Sequence, residues 1–122
     1  HEKAGQMYDR IVQIAPNDVD ARQWLALMYT LTARKGDAIK EKKQIARIFA
    51  QQREYDSAIA ELHQIIGLDQ SDTEAYYLLG DMLMRREEYS QAVQLYNRML
   101  KMDGVDTERV MALAGAANRM LQ

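Results

Sequence analysis

Apolar residues recur three and four positions apart along almost the whole chain, which is the spacing of an amphipathic α-helix. Breaks in this pattern predict seven helices, at about 2–14, 18–34, 37–52, 55–68, 72–86, 89–102 and 106–121. Ser71-Asp72-Thr73-Glu74 has the form of a capping box before the fifth helix, and Asn17-Asp18 precede the second. One proline and six glycines provide few turns, which disfavours an all-β sandwich or barrel. The pattern therefore predicts an all-α protein.

Two stretches of the chain superpose at a spacing of 34 residues. The first stretch reads Lys42-x-x-Ile45-Ala46-x-x-Phe49, followed by Tyr55, Ala58, Leu62 and Ile65. The second stretch reads Tyr76-x-x-Leu79-Gly80-x-x-Leu83, followed by Tyr89, Ala92, Tyr96 and Met99. Small residues thus recur where two helices must approach closely, at Ala46 and Gly80 in the first helix and at Ala58 and Ala92 in the second.

This arrangement resembles the tetratricopeptide repeat, a 34-residue helix–turn–helix with the pattern W-x2-L-G-x2-Y…A-x3-F…P. Pro16, the only proline, lies where the family places one. The resemblance implies an all-α, right-handed superhelical solenoid of antiparallel helix hairpins. The predicted divisions are a half repeat at 1–17, an irregular half repeat at 18–36, full repeats at 37–70 and 71–104, and a terminal half repeat or capping helix at 105–122.

One part of the chain departs from the repeat. The residues that close a repeat are Pro16, Gln70 and Gly104; the last two are 34 residues apart, whereas the first two are 54 apart. Two full repeats would need 68 residues, so about one helix is missing. Three explanations stay open: a turn at 34–37 that reorients an irregular pair within one molecule, a long hinged or continuous helix over 18–52 that exchanges halves with a second chain, or a disordered loop absent from this sequence.

The resemblance implies that a partner protein or peptide binds to the concave surface, which is lined by the first helix of each repeat. Residues of these helices that the core does not use are the predicted partner-binding residues. They are Lys40, Lys43, Arg47 and Gln51 on helix 37–52, and Tyr77, Asp81, Met84 and Arg85 on helix 72–86. Trp24 and Leu27 on helix 18–34 are secondary candidates, because Trp and Tyr are frequent in interface hot spots.

Charge is concentrated in one segment. Residues 34–53 carry seven basic and two acidic side chains, a local charge of +5 in a chain whose net charge is −2. A positive surface of this kind predicts an acidic partner. The plainer interpretation is a solvated lysine-rich helix face, which is what a run of charges usually is. The acidic overall balance argues against nucleic acid as the partner.

Composition and motifs exclude most catalytic chemistry. The chain has no cysteine and two histidines, His1 and His63, so thiolate and histidine-rich metal sites are excluded. No glycine-rich phosphate loop is present, and Glu87 and Glu88 are adjacent residues that would point in different directions on a helical turn. We therefore predict no catalytic residues, no metal and no cofactor.

The carboxylate clamp with which some repeats of this family hold chaperone tails is not expected, because Leu78, Glu108 and Ala112 stand where the clamp needs asparagine and basic residues. The last helix has apolar residues and no following helix to cover them. Homo-oligomerisation, with or without helix exchange, is therefore the alternative function. No apolar stretch long enough to span a membrane is present. Nothing indicates a compartment, and a cytoplasmic location is taken only by default.

Overall fold

The computed structural model describes residues 6 and 10–122. The six helices that can be given bounds are α1 (Val19–Leu31), α2 (Lys35–Gln51), α3 (Tyr55–Leu68), α4 (Thr73–Arg85), α5 (Tyr89–Met99) and α6 (Thr107–Met120). Residues 10–14 are also helical, whereas most of the predicted helix 2–14 lies outside the described residues. Each helix packs against the next one along the chain. The part of the chain that the structure describes contains helices and turns and no strand, as the periodicity predicts.

Three of the helices begin with an aspartate cap. The carboxylates of Asp18, Asp72 and Asp106 accept hydrogen bonds of 3.0–3.1 Å from the backbone N–H three residues later. The capping box predicted at Ser71 is therefore wrong by one residue. Ser71 instead donates its hydroxyl to Asp69 over 2.7 Å, and this bond, with the one from the Ser71 backbone, lowers the pKa of Asp69.

The other three helices, α2, α3 and α5, follow a tight turn and have no capping side chain. The middle residue of each turn has a positive φ: 58° at Ala33, 60° at Arg53 and 60° at Glu87. In each turn the next residue donates its N–H to the carbonyl five residues earlier, over 2.7–2.9 Å. This left-handed residue closes each helix and reverses the chain into an antiparallel hairpin.

Helix α2 is shared by two hairpins, because the tight turn occurs at both of its ends. Ala38 lies twelve residues after Ala26, just as Ala58 follows Ala46 and Ala92 follows Gly80 at the same distance. Ala38 is also buried to the same degree as these other alanines, at 1% exposure. Helix α2 therefore acts as the second helix of the α1–α2 hairpin and as the first helix of the α2–α3 hairpin, which accounts for the spacing of 54 residues.

The turn between α1 and α2 lies at residues 32–34 and corrects two of the expectations. A single long helix over 18–52 is wrong, because the chain reverses at Ala33. The turn is also not at 34–37, since Gly36 lies in the first turn of α2, where no atom would come within 4 Å of an added Cβ. A glycine often indicates a turn, but Gly36 is an ordinary helical residue and has no conformational role at its position.

The core runs along the stack between the helices. Its fully buried residues include Leu62, Ile65, Tyr96 and Met99, each with 1% exposure or less. The small residues lie at the contacts between helices, and Gly80 of α4 lies directly against the ring of Tyr96 on α5. These contacts set the distance between hairpins and so determine the surface that the next section describes.

Candidate functional site

Helices α2 and α4 are joined side by side by ion pairs. The Lys43 ammonium lies 2.8 Å from the Asp72 carboxylate and 3.2 Å from that of Glu74, and Arg47 reaches Glu74 over 3.1 Å. Both acidic residues lie at the start of α4, where their charge also favours the helix N-terminus. These contacts fix α2 and α4 as neighbours on one face of the molecule.

Helices α4 and α6 are joined on the same face through Tyr77. The backbone N–H of Asp106 donates to the Tyr77 hydroxyl over 3.1 Å. The guanidinium of Arg109 lies over the Tyr77 ring, 4.3 Å from its centroid, in a cation–π contact. Tyr77 therefore holds the start of α6 against α4, so that α2, α4 and α6 lie in a row.

Two cavities open along this row. The first, of about 450 Å³, is lined by residues of α2, α3, α4 and the turn between α2 and α3, with Ala46, Ala50 and Leu78 providing apolar surface. The second, of about 650 Å³, lies between α4 and α6. Both are lined by Arg47, Leu78 and Asp81. They form one continuous surface, which we call the groove.

Six of the eight predicted partner-binding residues line the groove. Arg47, Gln51, Asp81 and Arg85 line the first cavity. Tyr77 and Met84 line the second cavity, together with Arg47 and Asp81. Lys40 is exposed but lines neither cavity, and Lys43 lies beside the groove.

The basic face predicted around Lys43 is largely neutralised. The Lys43 side chain is 17% exposed and is enclosed by Asp72 and Glu74. Burial lowers its pKa, but the hydrogen bonds and charges of the two carboxylates outweigh burial, so the pKa of Lys43 is raised above its ordinary value. The positive charge of Lys43 is therefore engaged in ion pairs that join α2 to α4 and is not presented to the groove.

The groove residues that were absent from the predicted set include Arg53, Tyr55, Leu78 and Arg109. Arg53 belongs to the turn between α2 and α3, and Arg109 belongs to the last helix, whose candidate residues were not assigned. The spacing of apolar residues predicts which face of one helix is buried. These four residues reach the groove because separate helices pack together, which the spacing does not predict. A candidate set that included the hairpin turn would have found Arg53.

Helix α1 lies beside α3, so its candidates do not line the groove. Leu27 lines a separate cavity of about 470 Å³ with Lys42, Gln64 and Gly67. The Gln23 amide on α1 donates to the Glu61 carboxylate on α3 over 2.5 Å. Trp24, also on α1, is 39% exposed and lines none of these cavities. The expectation that helix 18–34 lines the same surface is therefore wrong, because α2 serves two hairpins and places α1 in the layer of α3.

The fold and the groove define a helical-repeat solenoid, a protein built from stacked helical hairpins. Residues 43–106 match the family model described as tetratricopeptide repeat. Because this match spans more than half of the 122 residues, the chain belongs to the tetratricopeptide repeat family. The predicted family and all-α solenoid fold are confirmed. Members of this family are generally non-catalytic scaffolds for protein–protein interaction.

Two solved structures that are similar to this chain are crystal structures of MamA. One has a TM-score of 0.60 and 20% sequence identity, and the alignment covers 94% of this chain and 75% of that chain. The other has a TM-score of 0.52 and 18% identity, with coverage of 96% and 76%. At these identities the similarity shows the fold alone. No curated protein matched the chain.

Two further observations concern other kinds of site. Among the described helices, none is long and apolar enough to cross a membrane. Within residues 6 and 10–122, no three His, Asp or Glu side chains are grouped so that they could hold a metal ion.

Proposed function

We propose that this protein is a non-catalytic scaffold that binds a peptide or a helix of a partner protein in the groove formed by α2, α4 and α6, and thereby serves complex assembly. The observation that carries the proposal is the groove itself, because six predicted partner-binding residues from two helices line one surface. Its floor is apolar and its edges are charged, which is the composition that an amphipathic segment requires.

The helices that line the groove are held in place before any partner arrives. Lys43 joins α2 to α4, and Tyr77 joins α4 to α6. A surface that is already ordered adds little entropic cost to binding on the protein's side. This favours docking of a partner segment that orders itself against a fixed groove.

Site-specific photocrosslinking tests the proposal in the native cell. A photoreactive phenylalanine derivative would replace Gln51 or Met84 in the groove, and His63 on the exposed face of α3 as the matched control. We expect one partner protein to be crosslinked from Gln51 and Met84 and not from His63. Crosslinking from His63 with none from the two groove positions would refute groove binding.

Self-association is the second candidate function, and exposed apolar residues on the first and last of the bounded helices favour it. Leu31 on α1 is 64% exposed, and Met111 and Met120 on α6 are 59% and 56% exposed. Apolar surface of this kind marks an interaction site when it is contiguous. Sedimentation equilibrium tests it: a mass that rises with concentration and returns to 14.1 kDa in Leu31→Glu or Met111→Glu would support self-association.

A further inference from the structure

The charges in the groove do not balance. Four arginines line its two cavities, Arg47, Arg53, Arg85 and Arg109, and the carboxylates of Glu74 and Asp81 are the acidic groups there. Glu74 is already paired with Lys43 and Arg47, and Asp81 is paired with Arg85 over 3.3 Å. The groove therefore carries an excess of positive charge even when its internal ion pairs are counted.

Two groove arginines form no ion pair with a described residue: Arg53 in the first cavity, and Arg109, which lies over the Tyr77 ring, in the second. Arg53 makes no ion pair or side-chain hydrogen bond with any described residue. Arg53 also lines a smaller cavity with Glu54 and Asp56, and there the Asp56 carboxylate is bound by Arg86 over 2.8 Å. The guanidinium of Arg53 is therefore available to a ligand that enters the groove.

Arg85 is a further basic residue of the first cavity. Arg85 and Tyr55 both line this cavity, and the pKa of Arg85 is raised above its ordinary value by the Tyr55 side chain first and by the charge of Asp81 second. Tyr55 is the first residue of α3 and follows the turn that contains Arg53, so one hairpin turn positions both side chains. Ala46, Ala50 and Leu78 provide the apolar surface next to them.

We propose that Arg53, Arg85 and the Tyr55 hydroxyl together bind a carboxylate of the partner segment, and that an apolar side chain beside this carboxylate packs on Ala46, Ala50 and Leu78. The partner is thus an acidic segment with apolar residues next to its Asp or Glu. Charge complementarity supports this choice, since two guanidinium groups present several donors in a geometry that suits carboxylates. This inference rests on the proposed function, because it specifies the segment that the groove binds.

Of the recognition residues in this proposal, Arg85 belongs to the predicted partner-binding set, whereas Arg53 and Tyr55 do not. Lys43 has two carboxylates of its own chain within 3.2 Å, so it has little capacity for a third. Arg53 and Arg85 are separated in the sequence by α3, the turn that follows it and nearly all of α4, and packing brings them to one cavity. Anion recognition therefore depends on the hairpin turn and the end of α4, and not on the lysine-rich face of α2.

Selection of displayed random dodecapeptides on the whole 122-residue chain tests the proposal. We expect the selected peptides to be enriched in Asp or Glu adjacent to an apolar residue. The same selection on the double variant Arg53→Gln/Arg85→Gln would retain the apolar residues and lose the acidic ones. Arg98→Gln is the matched control, because Arg98 is exposed on α5 and lines none of the cavities described above.

Affinity measurements on one selected acidic peptide give the quantitative result. Each single variant, Arg53→Gln or Arg85→Gln, should weaken binding roughly 2- to 5-fold, the upper part of the range for exposed ion pairs, and Arg98→Gln should leave it unchanged within about 1.5-fold. Replacing the peptide's acidic residue by Gln should weaken its binding to wild type by a similar factor. Arg53→Gln or Arg85→Gln should then cause no further loss of affinity for this Gln-containing peptide.

The failures of the two proposals are distinguishable. Selected peptides without an acidic excess, or equal binding of an acidic peptide by wild type and the double variant, would overturn the carboxylate site while leaving groove binding in place. If no peptide is selected and no partner is crosslinked from the groove, both the inference and the proposed function are wrong.

Discussion

A Cβ atom added to Gly80 would lie 2.5 Å from the Cε1 atom of Tyr96. Helix α4 therefore approaches α5 so closely that the tyrosine ring occupies the place of a side chain. Tyr96 is 1% exposed and its ring is held by the surrounding core, so it has little freedom to move away. The glycine of the repeat pattern is thus explained by this single contact.

We expect Gly80→Ala to destabilise the protein by about 1–3 kcal/mol, because the added methyl group overpacks the contact with Tyr96. The intrinsic helix preference of alanine, about 1 kcal/mol, opposes this effect. Gly115→Ala in α6 is the control: no atom lies within 4 Å of its added Cβ, so this variant should be about 0.4–1 kcal/mol more stable. Urea denaturation followed by circular dichroism measures both, and equal stabilisation of the two variants would contradict the contact.

The same tyrosine makes stability depend on alkaline pH. Burial raises the pKa of Tyr96, and the charge of Asp81 raises it further, against a smaller opposing effect of Arg109. In the unfolded chain Tyr96 would ionise near pH 10, whereas in the folded protein it keeps its proton to higher pH. Its contribution to stability is therefore complete below about pH 10 and is lost as the pH rises through the folded pKa.

We expect the Tyr96→Phe variant to lose less stability than wild type as the pH rises above about 9, because it has no phenol to ionise. The free energy of unfolding of wild type and Tyr96→Phe would be measured by urea denaturation between pH 7 and 11. The difference between them should stay constant up to about pH 9 and then shift in favour of Tyr96→Phe. A difference that stays constant across the whole range would show that Tyr96 titrates alike in both states.

The three aspartate caps provide a matched series. Asp18→Ala, Asp72→Ala and Asp106→Ala each remove one hydrogen bond to a helix N-terminus, at a cost of about 1 kcal/mol. Asp72→Ala should cost more than the other two, because Asp72 also pairs with Lys43 and its side chain is 11% exposed. Thermal unfolding of the three variants checks this order. Lys43→Met should reduce the difference, since it removes the partner of Asp72.

The helices and the small-residue contacts could be predicted from the sequence because both follow from local spacing. The interval of 34 residues places Gly80 and Ala46 at equivalent positions, and any helical hairpin of this kind requires a small residue there. The predicted helix 55–68 has the observed bounds, and the other five predicted helices that the structure gives bounds differ by one to three residues at an end. Helix ends are less certain because caps depend on single side chains, as Asp72 and Ser71 show.

The shared role of α2 could not be predicted, because it depends on a conformation that alanine rarely adopts. A positive φ at Ala33 closes α1 in the way that Arg53 closes α2, yet nothing in the residue type marks Ala33 as the turn. The position of α1 beside α3 follows from this turn. The neutralisation of Lys43 was also not predictable, since its partners Asp72 and Glu74 are about thirty residues away in the sequence and reach it only through helix packing.

The junction of α1, α2 and α3 contains a buried carboxylate that yields the last prediction. Glu61 is 6% exposed, and its Oε1 atom accepts a hydrogen bond from Gln23. Its Oε2 atom lies 3.6 Å from the Lys42 ammonium and makes no hydrogen bond to a described residue. A buried carboxylate with so few donors depends strongly on each of them.

We expect Gln23→Ala to cost about 1–3 kcal/mol, because it leaves the Glu61 carboxylate buried with Lys42 as its remaining partner. Adding Glu61→Gln to Gln23→Ala should lower the free energy of unfolding little further, because it removes the buried charge whose hydrogen bond from Gln23 has been lost. Urea denaturation of wild type, the two single variants and the double variant forms a double-mutant cycle. We expect a coupling of about 1 kcal/mol or more between Gln23 and Glu61.

Gln94→Ala is the matched control for this cycle, because Gln94 is exposed on α5 and its loss should change stability by less than about 0.5 kcal/mol. Additive effects of Gln23→Ala and Glu61→Gln would show that the two side chains do not depend on each other, and that α1 is held in the layer of α3 by its apolar contacts alone. Strong coupling would instead show that a polar contact fixes α1 at the one place where the chain departs from the 34-residue repeat. At this place α1 packs beside α3, so that its candidate residues Trp24 and Leu27 lie outside the groove.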